Sequence, residues 1–230
     1  MSIRIAWACN NLDIELEENK ILVLTIENTE EYVKFLSELN LQSEGEVGTI
    51  TLSSDGKELN FNKTAEIIFN PFALDMNNKK IITKLYQNIK EVSENSYQEQ
   101  TIDINSKIVD YMDNLIMDCP YNLEYDIQMD IVSLLKMLNV KILVKTESLL
   151  ERIIEYIRVC SRICGINIFF GINLKDYLSP NDIDMLYEFI KYEKVNLILV
   201  ESRKSDNYNC EKHWILDKDR CIIESDELTM

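Results

Sequence analysis

The sequence is poor in the residues that build nucleotide loops and catalytic centres, with five glycines, three prolines and one histidine in 230 residues. A P-loop needs glycines whose backbone amides surround a phosphate group. The only Gly-Lys pair, Gly56-Lys57, is followed by Glu58, and Thr51 stands where the first glycine of the motif belongs. The sequence therefore predicts no active NTPase.

Catalytic and metal-binding patterns are equally scarce. His213 lies in a polar stretch with no adjacent pattern that would make it a catalytic base, so we expect a surface histidine. Six cysteines occur without a CxxC pair or a Cys/His cluster, which predicts neither a zinc site nor a disulfide framework. We expect them to be small buried apolar residues, and Cys160 and Cys164 to pack on one helix face rather than bind a metal. No convergent carboxylates of a nuclease metal site are recognisable.

Long apolar runs are also missing. No window approaches the ~20 consecutive apolar residues of a membrane span, and residues 1–10 lack the basic start and apolar centre of a signal peptide. These absences predict a cytoplasmic protein.

Negative charge is abundant, and the net charge of −16 argues against nucleic-acid binding. Its distribution is uneven: residues 1–75 hold 5 basic and 14 acidic side chains, residues 76–159 hold 10 and 13, and residues 160–230 hold 9 and 13. The middle third is nearly balanced. A protein this acidic could bind DNA only through positive charge concentrated in a local stripe or concavity.

Strand-like and helical segments alternate near both ends of the chain. The predicted strands are Ile3–Ala6, Ile21–Ile26, Thr49–Leu52, Ala65–Phe69, Ile166–Phe170, Leu197–Val200 and Cys221–Ile223. Helical spacing appears at Tyr32, Phe35, Leu36 and Leu39, and again after the start signal Ser179-Pro180.

The middle of the chain, from about 77 to 163, shows helical periodicity alone. Its apolar stripes are Ile81, Ile82, Leu85, Ile89 and Val92, then Ile104, Ile108, Tyr111, Leu115 and Ile116, then Leu149, Ile153, Ile154, Ile157 and Cys160. Since each end has too few strands for a covered sheet, we expect an α/β fold with one discontinuous head, formed by residues 1–75 and 160–230. Residues 76–159 would form an inserted helical leg.

One acidic segment has two interpretations. Asn122, Glu124 and Asp126 alternate with apolar residues, so an extended backbone would present three oxygen-bearing side chains on one side, with Asp130 just beyond. Calcium takes six to eight oxygen ligands, which backbone carbonyls or water could complete. The alternative is a solvated turn between two helices.

Two rows of lysines are similarly ambiguous. Lys79, Lys80 and Lys84 occupy the first turns of a predicted helix, where free backbone amides and the helix dipole also favour phosphate. A second, sparser row consists of Lys136, Lys141 and Lys145. Each row is either a DNA contact or an ordinary solvated helix face.

An ordered set of segments resembles a known family. They are Lys20–Ile26, Phe69–Tyr86, Leu123–Asp126 and Leu134–Lys141, continuing through Ser148–Gly165, Ile166–Tyr177, Leu186–Glu201 and Trp214–Ile223. Their order, spacing and total length resemble the Csn2 family, the small adaptation proteins of subtype II-A CRISPR loci. The resemblance covers essentially the whole chain.

The resemblance implies a degenerate ATPase-like head without a P-loop and without a bound nucleotide, an elongated helical leg, and a homotetrameric ring whose lysine-lined hole holds duplex DNA. It implies a non-enzymatic protein that binds double-stranded DNA ends and assists spacer acquisition, together with the integrase-complex proteins and the large RNA-guided nuclease of the same locus. It also implies bound calcium. Glu124 and Asp126 match the family's Glu-Tyr-Asp turn, and Asn122 stands where an aspartate is common, so Asp118 or Asp130 would have to compensate.

The resemblance assigns the DNA-binding role only to the lysines as a class, and Lys79, Lys80 and Lys84 are the first choices. Two other functions stay open on the sequence alone. One is a degenerate ATPase-like scaffold that acts only through protein contacts, and the other is a metal-dependent nuclease that uses the carboxylates around Glu124.

Overall fold

The computed structural model describes residues 3–125, 130–208 and 210–225. Its strands are β1 Ile3–Trp7, β2 Leu12–Leu16, β3 Ile21–Ile26, β4 Ile50–Ser54, β5 Lys57–Glu58, β6 Ala65–Ile68, β7 Ile168–Ile172, β8 Asn196–Glu201, β9 Glu211–Leu216 and β10 Ile222–Ser225. Its α-helices are α1 Thr29–Ser43, α2 Phe61–Thr64, α3 Lys79–Ser96, α4 Gln98–Met117, α5 Ile131–Met137, α6 Leu149–Cys164 and α7 Pro180–Glu193. The fold is mixed α/β, with two sheets.

The larger sheet has the strand order β10-β9-β3-β8-β7-β6, in which only β10 runs antiparallel to its neighbour. All six residues of β3 are buried, as expected for a central parallel strand covered on both faces. On one face, Leu22, Leu24 and Ile26 join a core that also contains Phe35 and Leu39 of α1. Asn28 caps this helix by accepting hydrogen bonds from the backbone of Glu30 and Glu31.

The opposite face of the larger sheet is covered by α6 and α7. Tyr156 of α6 donates a hydrogen bond to Glu66 of β6, and Tyr187 of α7 donates one to Glu211 of β9. Both helices begin at a capping serine, and Ser179 forms a full capping box with Asp182. The predicted start of α7 at Ser179-Pro180 is therefore confirmed.

The smaller sheet is antiparallel, with the order β2-β1-β4-β5, and packs its buried side chains into the same core as α1. A tight turn joins β4 to β5 through Asp55 and Gly56, whose φ angles are 48° and 77°. Such positive φ values suit a two-residue hairpin turn. Gly56-Lys57 thus belongs to a hairpin and does not form a phosphate-binding loop.

Two compact units make up the chain. The sheet unit comprises Met1–Asp75 and Lys145–Met230, and the helical unit comprises Met76–Val144. Helix α6, which the periodicity placed at the end of the helical insert, belongs to the sheet unit, where Ile153 and Ile157 are fully buried.

The helical unit consists of α3, α4 and α5 with their connections. Helix α3 packs against both other helices. Tyr86 donates a hydrogen bond of 2.9 Å to the carbonyl of Val140, and the side-chain amide of Asn77 bonds both the N–H and the carbonyl of Ile142. These contacts hold the chain that follows α5 against the beginning of α3.

Several expectations need correction. Three strands, β2, β5 and β9, were not predicted, because they lie in polar segments, and the strands form two sheets. His213 is buried, not on the surface, because it lies within β9 and its imidazole bonds Glu211 at 2.8 Å. Of the six cysteines only Cys160 is buried, whereas Cys9 and Cys221 are exposed.

Within the described ranges, no helix is both long and apolar enough to cross a membrane.

Candidate nucleic-acid and metal-binding residues

The first lysine row lies at the start of α3. Lys79, Lys80 and Lys84 are exposed, and the helix begins after Asn78, whose side chain accepts a hydrogen bond from the backbone of Ile81. The positive end of the helix dipole therefore adds to the charge of the ammonium groups. This arrangement attracts anions.

The structure adds Lys141 to this row. The two hydrogen bonds between Asn77 and Ile142, 2.8 and 3.1 Å long, place Lys141 beside the start of α3 although the two segments are some sixty residues apart in sequence. Lys136 lies in the last turn of α5, which packs on α3. We call these five exposed side chains, Lys79, Lys80, Lys84, Lys136 and Lys141, the lysine surface.

The remaining predicted DNA contact, Lys145, belongs to the sheet unit. It is exposed and lies in the segment that precedes α6.

Charge is segregated within the helical unit. Segments 76–90 and 131–144 contain six lysines and no Asp or Glu, whereas segment 91–130 contains ten acidic residues and one lysine. Since α3 and α5 pack on each other, the two basic segments lie side by side, and of their six lysines Lys90 also lies 3.9 Å from Glu94 and from Asp130. Sequence counting over residues 76–159 missed this region because it averaged the two kinds of segment.

The acidic turn, residues 122–126, falls in the acidic segment 91–130 of the sequence. Asn122 and Glu124 are exposed, and the hydroxyl of Tyr125 donates a 2.6 Å hydrogen bond to Asp113 on α4. That bond raises the pKa of the Tyr125 hydroxyl. Asp126, the fourth member of the predicted calcium set, lies outside the described residues.

Asp130 makes its described contacts within the helical unit. It caps α5 by accepting hydrogen bonds of 3.2 Å from the N–H and the hydroxyl of Ser133, and it lies 3.9 Å from the ammonium of Lys90. Desolvation raises its pKa, but the hydrogen bonds from Val132 and Ser133 and the charge of Lys90 outweigh it, so the pKa of Asp130 is lowered.

The fit to calcium can be tested only in part. Among the residues with described positions, no group of three or more His, Cys, Asp or Glu side chains converges as metal ligands would. Asp130 serves as a helix cap, so the described residues alone do not make the six- to eight-oxygen shell that calcium takes. Any such site would depend on Glu124, Asp126, backbone carbonyls and water.

A buried polar cluster in the sheet unit escaped the sequence analysis. The ammonium of Lys175 is 2.7 Å from Glu211, both side chains are almost wholly buried, and Tyr187 and His213 also bond the Glu211 carboxylate. Although burial raises the pKa of Glu211, these three hydrogen bonds lower it overall. Because its members come from three separate segments, no local pattern could reveal the cluster.

Glu201, at the end of β8, is the carboxyl without such support. It is 2% exposed, and its Oε1 has no hydrogen-bond partner in the described part of the chain. Burial raises the pKa of Glu201 to about 7, and the lowering effect of Lys175 is insufficient to offset it. Lys175 is already engaged by Glu211, so the cluster combines a buried ion pair with a buried carboxyl group whose pKa is raised.

An apolar stripe along α4 is left uncovered. Ile104, Ile108, Tyr111 and Leu115 follow helical spacing on one face and are between 39% and 63% exposed. The neighbouring face, with half-buried Val109 and Met112, is the one that the rest of the unit covers. Soluble monomers rarely expose such a continuous stripe, so it indicates an interaction surface.

Comparison with known proteins supports the family resemblance. The CRISPR-associated protein Csn2 of Streptococcus agalactiae is 28% identical over 102 residues, which is 44% of this chain and 44% of that protein. The match therefore spans less than half the length of this curated relative. A solved ABC transporter ATP-binding protein from Pyrococcus furiosus aligns over 93% of this chain and 97% of its own at 6% identity, with a TM-score of 0.43, too low to assign the fold.

The model of the CRISPR-associated protein family Cas_Csn2 matches residues 42–220, well over half of the chain, and it spans the lysine surface, residues 122–126 and the larger sheet except for β3 and β10. The chain belongs to the Csn2 family of CRISPR-associated proteins.

Proposed function

We propose that this protein binds double-stranded DNA through the lysine surface, without sequence preference and without cleaving it. The observation that carries the proposal is the segregation of charge in the helical unit, where six lysines occupy two packed segments that contain no acidic residue. Lysines on phosphates contribute affinity but no sequence information. The acidic remainder of the chain repels DNA and so confines the contact to this surface.

Self-assembly would multiply a contact that is weak in one chain. Five lysines supply few phosphate contacts, whereas a closed homotetramer presents the surface four times. The exposed stripe on α4 is an apolar surface of the kind that such assembly requires. We propose that four copies form a ring around the duplex, loaded over a DNA end.

The family membership supports a role in a CRISPR system. A CRISPR-associated protein that holds DNA ends without cutting them would assist spacer acquisition, beside the integrase-complex proteins and the RNA-guided nuclease of the locus. The sheet unit would be a degenerate ATPase-like head without nucleotide, in keeping with the hairpin formed at Gly56-Lys57. The helical unit would be the corresponding leg.

A charge-reversal experiment tests the DNA contact. The triple variant Lys79→Glu, Lys80→Glu and Lys84→Glu should abolish binding to a labelled linear duplex. Wild-type affinity should fall with salt, with a log–log slope of about −0.9 for each phosphate neutralised. Fluorescence anisotropy at several salt concentrations measures both.

The control is a second triple variant with the same change of charge, Lys57→Glu, Lys107→Glu and Lys204→Glu, on exposed lysines outside the surface. If both triple variants lose binding equally, the contact is only a response to net charge. If neither variant loses binding, the lysine surface is not the DNA contact. A protein that binds its CRISPR partners but no duplex would instead be a scaffold.

The ring can be tested separately through topology and mass. Native mass should be near four times 27.0 kDa, and replacing Ile108 and Tyr111 by serine should lower it. Linear duplex should bind, whereas covalently closed DNA should compete poorly because a closed ring loads only over an end. Equal binding to closed DNA would contradict threading.

We propose further that calcium binds through Glu124 and Asp126. A metal bound only by the native protein would raise the melting temperature by mass action. The double variant Glu124→Gln and Asp126→Asn should abolish any calcium-induced rise, and the matched double variant Asp103→Asn and Asp110→Asn on α4 should retain it. An unchanged rise in the first variant would place calcium elsewhere.

A further inference from the structure

A shallow groove of about 520 Å³ runs along the outer face of α1, in the sheet unit. Its lining comes from α1 and from Phe69, which follows the edge strand β6. The lining residues are Val33, Leu36, Ser37, Asn40, Leu41 and Phe69. The hydroxyl of Ser37 donates to the carbonyl of Val33 within the helix, which leaves Asn40 as the main polar group of the groove.

The apolar lining is not needed to hold α1 in place. The inner face of the helix buries Phe35 and Leu39 completely, and Phe35 makes an edge contact with Trp7 at 4.9 Å. Val33 and Leu41 instead are 56% and 44% exposed. A surface helix normally carries polar residues on this face, so the groove has a purpose other than folding.

The dimensions of the groove match a helical segment. Val33, Ser37 and Leu41 lie at i, i+4 and i+8, which is a straight row about 12 Å long at 1.5 Å per residue. Two to three turns of a second helix would cover it, with Phe69 closing one side. Apolar anchors at this spacing are how helix-in-groove recognition works.

Acidic residues border both ends of the row. Glu30 precedes Val33 by three residues and Glu44 follows Leu41 by three, so both glutamates lie on the same face of the helix. Both are exposed. Arg220 approaches Glu30 at 3.5 Å, but this pair is exposed and contributes little to fixing the carboxylate.

The two glutamates indicate which kind of ligand the groove would bind. A second copy docked through the same face would bring glutamates against glutamates, which is unfavourable. DNA is excluded as well, because its phosphates would also be repelled by the glutamates. We propose that the groove docks an amphipathic helix of another protein, with leucine-like anchors on one face and lysine or arginine beside them.

The test uses full-length protein and a defined probe. The probe is a fluorescein-labelled peptide of about sixteen residues, four or more turns of helix, with leucines at i, i+4, i+7 and i+11 and lysines flanking them. A matched peptide carries glutamate in place of every lysine. Fluorescence anisotropy should show saturable binding of the basic peptide and at least about tenfold weaker binding of the acidic one.

Two variants locate the binding. Val33→Gln with Leu41→Gln removes the anchors, and Glu30→Lys with Glu44→Lys reverses the ends, and each should weaken the basic peptide about tenfold. Two controls outside the groove should bind as wild type: Val47→Gln, at an almost fully exposed valine, and Glu18→Lys with Glu58→Lys. Among the described contacts, Glu30 is the one substituted residue with an ion-pair partner, and that pair with Arg220 is exposed. The variants should therefore stay folded, which circular dichroism would check.

Three results would overturn the proposal. Equal binding of the basic and acidic peptides, or of wild type and both groove variants, would mean that the groove does not recognise the peptide. Absence of binding to either peptide would do the same. A fall in native mass for Val33→Gln with Leu41→Gln would show that a second copy occupies the groove, and DNA binding, which the proposed function assigns to a different surface, should be unchanged throughout.

Discussion

The two units of this chain bury their apolar residues to very different degrees. In the sheet unit, β3, β7 and β8 are almost wholly buried, and large side chains such as Trp7 and Phe170 are inaccessible. In the described part of the helical unit, only Met76, Ile81 and Tyr86 are buried among the apolar side chains. Helices α4 and α5 have no buried residue.

The apolar side chains of the sheet unit mostly form its core, whereas those of the helical unit are mostly exposed. The sheet unit has the core of an ordinary domain, with α1 between two sheets and α6 and α7 on the other face. The helical unit places its charged lysines on one region and a continuous apolar stripe on another, both facing solvent. Its described part therefore leaves most of its large apolar side chains outside a core.

The largest expected effect is in the sheet unit. Phe170→Ala should lower the free energy of unfolding by about 4 kcal/mol, because it removes a fully buried ring that stacks on Phe61 at 5.6 Å. Denaturant unfolding measures the change. Phe72→Ala, at a largely exposed ring, is the control and should cost about 1 kcal/mol or less. Equal losses in the two variants would contradict the core described here.

The second largest effect is a pH-dependent change in the free energy of unfolding caused by the buried Glu201. Burial raises the folded pKa of Glu201 from 4.5 to about 7, so the protonated acid is favoured in the folded state. Its destabilising effect is absent below about pH 4.5, grows as pH rises towards 7 and is complete above that value. Glu201→Gln mimics the protonated form and should raise the free energy of unfolding at pH 8 by on the order of 3 kcal/mol.

The control for that prediction is the pH series itself. The advantage of Glu201→Gln over wild type should shrink steadily as pH falls and vanish near pH 4.5. A gain that stays constant from pH 5 to pH 8 would mean that the glutamine acts by packing rather than by charge.

A smaller effect is expected at the helix cap that begins the lysine surface. Asn78→Ala removes the side-chain acceptor for the backbone N–H of Ile81 and should destabilise the first turn of α3 by about 1 kcal/mol. Amide hydrogen exchange of the α3 residues reports this local change, and Asn78→Ser should preserve most of the protection. Unchanged exchange in the alanine variant would show that the contacts between Asn77 and Ile142 fix this end unaided.

The smallest effect is expected on the apolar stripe of α4, and it is the direct test of the comparison. Ile104→Ser should change the free energy of unfolding by no more than about 0.5 kcal/mol, since the side chain is 46% exposed. The measurement must be made at concentrations where the wild type and the variant are both monomeric. A loss of 2 kcal/mol or more would mean that the stripe is part of the unit's own core.

Much of the fold could be predicted from local sequence patterns. The strand at Ile21–Ile26 was predicted with its observed bounds, and the bounds of the six other predicted strands lie within two residues of the observed ones. The strands that were missed have charged residues in them: β2 alternates Leu12, Ile14 and Leu16 with acids, and β9 begins with Glu211 and Lys212. Such strands depend on pairing with β1 and β3, which no local window contains.

The candidate site was predictable as residue types but not as an arrangement. The sequence offered two separate lysine rows, and only the hydrogen bonds between Asn77 and Ile142 bring Lys141 to the row on α3. Lys145 belongs to the sheet unit, and Asp130 caps α5. The roles of the lysines and of calcium stay predictions.

By itself, the sequence determined several local elements of this protein: the strand at Ile21–Ile26, the start of α7 at Ser179-Pro180 and the apolar stripes of α3, α4 and α6. Only the tertiary structure decided which faces are covered, because a helical stripe such as Ile104 to Leu115 has the same periodicity whether it meets a core or solvent. It likewise decided that His213 is buried and that Oε1 of Glu201 has no hydrogen-bond partner among the described residues, since burial and pairing depend on segments that are distant in the chain.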